Sequence, residues 1–76
     1  MQQMLHNGTH TGPRLNTFLS DLQHRVEVLT ADIEQEEGRA RKFNPADPAY
    51  PVLASSLRTR RQNLLATISM LQAAAA

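Results

Sequence analysis

His6 and His10 stand four residues apart, the spacing that sets two imidazoles on one helix face within reach of a single metal ion. Gly8 lies between them and Gly12-Pro13 follows, so a stable helix is disfavoured there and a polar leader without a metal is the reading. Glu34 and Glu37 are three apart and share a face, but no Glu-x-x-His pair exists to complete a carboxylate-histidine site. Ser20, Ser55, Ser56 and Ser69 have no histidine placed to activate them, and there is no cysteine nucleophile. The three glycines are isolated, so no phosphate-cradling loop is present. His24 falls opposite the apolar stripe of its segment and reads as a solvated surface residue. The expectation is a protein without catalytic residues, bound metal or cofactor.

The basic residues offer a second kind of chemistry. Arg39, Arg41 and Lys42 form one cluster, with Arg58, Arg60 and Arg61 further on; together they are six of the eight Lys and Arg. Phe43 and Tyr50 lie nearby as stacking surfaces for bases. Against this, Asp32, Glu34, Glu36 and Glu37 offset the second group, which leaves Arg39, Arg41 and Lys42 as the nucleic-acid candidates. A net charge of +1 gives no overall drive toward nucleic acid or membrane.

The elements that would position these residues are helical. Seventy-six residues make one small domain, without cysteine for disulfides, and with one Tyr, two Phe and no Trp. The core must come from Leu, Ile, Val and Ala, which suits helix packing better than a sheet. No apolar run approaches the ~20 residues that span a bilayer. The N-terminus lacks a basic region followed by an apolar run, so a cytoplasmic location is expected.

Residues 1–12 are polar, glycine-interrupted and aperiodic, and are expected to form a flexible arm. Pro13 suits the first turn of a helix. Helix 1 is expected over about 13–43, because no proline and only Gly38 interrupts it. Leu15, Leu19, Leu22, Val26, Leu29, Ile33, Glu36, Ala40 and Phe43 alternate spacings of four and three, which is a heptad seam. Three prolines in residues 44–51 stop it and make a stiff connection over 44–50. Helix 2 is expected over about 51–73, with Ala54, Leu57, Arg61, Leu64, Ile68, Leu71 and Ala75 as its stripe.

Facing residues of an antiparallel hairpin have numbers that sum to a constant. Pairing outward from Ala40 with Ala54 gives sums of 93 or 94, with Ile33 opposite Arg61 and Val26 opposite Ile68. Glu36 and Arg61 then fall in adjacent layers and are expected to approach each other. The fold class is therefore all-α, an antiparallel two-helix hairpin occupying residues 13–76. Two helices leave Phe18, Val28, Leu65 and Met70 beside or off the seam. A homodimer that closes a four-helix bundle would cover them, as would a different protein partner. The functional expectation is a non-catalytic interaction or regulatory module. The alternative is a small dimeric RNA- or DNA-binding regulator acting through Arg39, Arg41 and Lys42.

Overall fold

Two antiparallel helices, α1 (Gln2–Ala40) and α2 (Val52–Ala75), pack along one another, and no strand occurs among the described residues. The computed structural model describes the backbone of residues 2–75 and the side chains of residues 14–74. The arm expected over residues 1–12, with His6 and His10, lies outside the described side chains. No helix among the described residues is long and apolar enough to cross a membrane.

The heptad stripes form the interface. Leu22, Leu29 and Ile33 of α1 and Ala54 and Ile68 of α2 are buried, and all five belong to the expected seams. Each buried Leu or Ile contributes about 1.5–3 kcal/mol relative to exposure. Threonines inside the helices satisfy their hydroxyls locally: Thr30 Oγ1 donates to the Val26 carbonyl at 2.9 Å and Thr67 Oγ1 to that of Asn63 at 3.0 Å.

α1 ends at Ala40, three residues before the expected Phe43. Arg41 takes the left-handed conformation, with φ of 56°, and the Lys42 N–H returns to the Glu37 carbonyl at 3.2 Å. This is a Schellman closure with arginine at the position usually given to glycine. Pro45 explains the early stop: it has no N–H to offer the Arg41 carbonyl, so a helix continued to Phe43 would leave its last turn poorly satisfied. Phe43 therefore leaves the seam and is exposed.

The connection consists of two turns in tandem, Asn44-Pro-Ala-Asp47 and Asp47-Pro-Ala-Tyr50. In each, the Asx side chain accepts from the N–H two residues on, Ala46 at 3.0 Å and Ala49 at 2.8 Å. The Asx carbonyl accepts from the N–H three residues on, at 2.9 Å in both turns. Proline at the second turn position sets φ, and the Asx oxygen locks the geometry. Pro51 then caps α2, its carbonyl accepting from the Ser55 N–H at 3.0 Å.

The stripes meet about one helical turn away from the expected register. Arg61 Nη1 donates to Thr30 Oγ1 at 3.0 Å, a pair whose numbers sum to 91. Helical side chains lean toward their own N-terminus, so Arg61 leans toward the connection and Thr30 away from it. For these two to meet, facing backbone positions must sum to about 90, not 93 or 94. Leu22 then lies level with Ile68, Ile33 with Leu57, and Glu36 with Ala54. The expected facing of Ala40 and Ala54 does not form: Ala54 is 0 % exposed, whereas Ala40 is exposed. The expected approach of Glu36 and Arg61 fails as well, because Glu36 pairs with Arg39 on its own helix while Arg61 binds Thr30.

Candidate functional site

A two-helix layer has two broad faces, and they differ chemically here. On one, Arg25, Val28 and Leu29 of α1 and Arg60 and Leu64 of α2 line an open groove of about 490 Å³. Phe18, seven residues before Arg25, shares that side of α1, and Leu53, seven before Arg60, shares that side of α2. Phe18 is 49 % exposed, Val28 46 % and Leu53 52 %, so this face presents large apolar groups to solvent.

On the opposite face Val26, Thr30, Arg58, Arg61, Gln62 and Leu65 line a groove of about 430 Å³. The four residues expected at an interface are all exposed, but they do not form one surface. Phe18 and Val28 belong to the first face and Leu65 to the second. Met70, two residues from buried Ile68, is turned roughly 200° from the seam and points away from α1 altogether.

Charge is divided between the helices. The described part of α1, from Arg14 on, holds Asp21, Glu27, Asp32, Glu34, Glu36 and Glu37 against Arg14, Arg25 and Arg39, a net of −3 with His24 neutral. α2 holds Arg58, Arg60 and Arg61 and no acid, a net of +3. The sequence placed these arginines opposite the acidic stretch, yet among the described residues no ion pair crosses between the helices. The pairs present are Glu36 with Arg39, and Lys42 with Asp47 at 3.6 Å. Two members of the proposed nucleic-acid cluster, Arg39 and Lys42, are thus engaged locally, leaving Arg41.

Tyr50 carries a role that the sequence reading missed. It is 7 % exposed, packed at the mouth of the connection, and its hydroxyl donates to Glu37 Oε2 at 2.7 Å. Burial raises its pKa above the ordinary value of 10.0, and the Glu37 carboxylate raises it further, while Arg58 beside the hydroxyl acts in the opposite direction. The available signal was a lone tyrosine in a proline-rich turn: an apolar body with a hydroxyl that must find a partner when buried. Among the described residues no cluster of three or more His, Asp or Glu could hold a metal. No protein-family model, curated protein or solved structure matches this chain.

Proposed function

We propose that this chain is a non-catalytic interaction module whose working form is a symmetric pair of hairpins, a four-helix bundle closed over Phe18, Val28, Leu53 and Leu64. The observation that carries this reading is an exposed apolar face on a chain whose two helices bear opposite net charge, with no ion pair between them among the described residues. A two-fold arrangement that lays α1 of one copy on α2 of the other brings Arg60, the α2 arginine on this face, toward a helix of net −3. Laying α1 on its own counterpart would oppose like charges. Association also supplies neighbours for seam residues that a lone hairpin leaves half-covered, such as Leu64 and Leu71.

Sedimentation equilibrium of the full chain over a wide concentration range tests this directly. The expected result is a dimer in the micromolar range, weakened by salt because part of the complementarity is ionic. A helical chain that stays monomeric at the highest concentrations overturns the proposal. The nucleic-acid alternative has less support, since Arg39 and Lys42 already have carboxylate partners and Tyr50 is buried rather than available for stacking.

A further inference from the structure

The second face holds an arrangement that self-association through the first does not use. Arg58 and Arg61, three residues apart on α2, are both half-buried; Arg61 is held by a neutral hydroxyl, and Arg58 has one beside it. Arg61 Nη1 donates to Thr30 Oγ1, whose own hydrogen is committed to the Val26 carbonyl, so the threonine oxygen can only accept and fixes the guanidinium. Arg58 lies beside the Tyr50 hydroxyl, and the carboxylate beyond it, Glu37, is taken up by that tyrosine. Among the described residues neither arginine is ion-paired, and α2 has no acid to offer.

Half-buried guanidinium groups are normally matched by carboxylates, because an unpaired charge removed from water is costly. Here the groove of about 430 Å³ leaves room for the missing counter-charge to come from outside. Val26 and Leu65 form apolar walls that strengthen any charge interaction within it, and the Gln62 amide adds a neutral donor. We propose that this groove binds a phosphate group, with the forked N–H groups of Arg58 and Arg61 on its oxygens and the Gln62 amide completing the set. Two guanidinium charges match a phosphate dianion, whereas a carboxylate brings one charge and two oxygens.

The test is titration of the full chain with inorganic phosphate at constant ionic strength, following arginine Nε–Hε and Gln62 side-chain NMR signals. Saturable shifts at Arg58, Arg61 and Gln62 are expected, with acetate markedly weaker. Arg58→Gln and Arg61→Gln should each weaken binding about tenfold or more, the loss of a charge-assisted hydrogen bond, while Arg41→Gln leaves it unchanged. Circular dichroism accompanies each variant; should Arg61→Gln loosen the hairpin, Arg58→Gln, which leaves the Thr30 contact intact, decides. Shifts that never saturate, acetate binding as tight as phosphate, or full affinity in folded Arg58→Gln would each overturn the assignment.

Discussion

The Tyr50 hydroxyl donates to Glu37 Oε2 across 2.7 Å, joining the end of the connection to the last full turn of α1 thirteen residues earlier. This bond closes the loop that the two proline turns build, and it places Tyr50 over the start of the interface, where Ala54 has no exposed surface. Tyr50→Phe keeps the buried ring and removes only the hydroxyl. It should lower stability by about 1.5–3 kcal/mol, the range for a hydrogen bond to a charged acceptor. That corresponds to a fall in Tm of roughly 4–8 °C per kcal/mol for a chain this small. Thermal melts followed by circular dichroism measure it.

The same bond gives a pH dependence. In the folded chain the tyrosine pKa lies above 10.0, the ordinary value it regains on unfolding. Below that value both states keep the proton and the contribution is complete. As the pH rises past it, the unfolded state ionises first, so stability falls until the folded-state pKa is passed. The decline should be present in the parent chain and absent in Tyr50→Phe.

The end of α1 has its glycine in the wrong place. Gly38 is inside the helix with nothing within 4 Å of where a Cβ would stand, while Arg41 occupies the left-handed position. Gly38→Ala should stabilise by about 0.5–1 kcal/mol through helix propensity. Arg41→Gly should stabilise by about 1 kcal/mol by relieving the left-handed penalty. Urea unfolding checks both; an unchanged midpoint in each would remove the Schellman closure as an account of the helix end.

The heptad period marks Leu22, Leu29, Ile33, Ala54 and Ile68 as core from the sequence alone, because burial follows the stripe. It could not choose among registers. Sliding one heptad seam past another by a single turn returns the stripes to each other, so agreement between the two phases was guaranteed for every such slip. What selects the observed slip is aperiodic: the reach of Arg61 to Thr30, the anchoring of Tyr50 at Glu37, and the path of residues 41–51. The exposed apolar residues were legible for the same reason as the core. Their distribution was not, since placing Val28 and Leu65 on opposite faces requires knowing how α2 lies against α1.

The register can be tested through its polar contact. Thr30→Val replaces the hydroxyl with a methyl of similar size, and Arg61→Gln removes the guanidinium. Together with the double variant they form a cycle whose coupling should be about 1 kcal/mol. The corresponding cycle of Glu36→Gln with Arg61→Gln should be additive, because Glu36 is engaged with Arg39. A reversed outcome, with coupling to Glu36 and none to Thr30, would restore the register of 93 or 94.

The two faces make opposite demands on two apolar residues that composition cannot distinguish. Val28 lines the groove of the first face beside Leu64, while Met70 is 72 % exposed and directed away from α1. A charge introduced at Val28 would have to be desolvated in the proposed bundle, at a cost of several kcal/mol, whereas one at Met70 stays in water. Val28→Asp should therefore shift the dimerisation constant by roughly a hundredfold or more, and Met70→Asp should leave it within about threefold. Neither should unfold the hairpin, since neither residue is buried in the single chain. Analytical ultracentrifugation of the two variants alongside the parent separates the effects. Equal weakening by both would mean that the chain associates through apolar surface in general and not through the face of Phe18 and Val28.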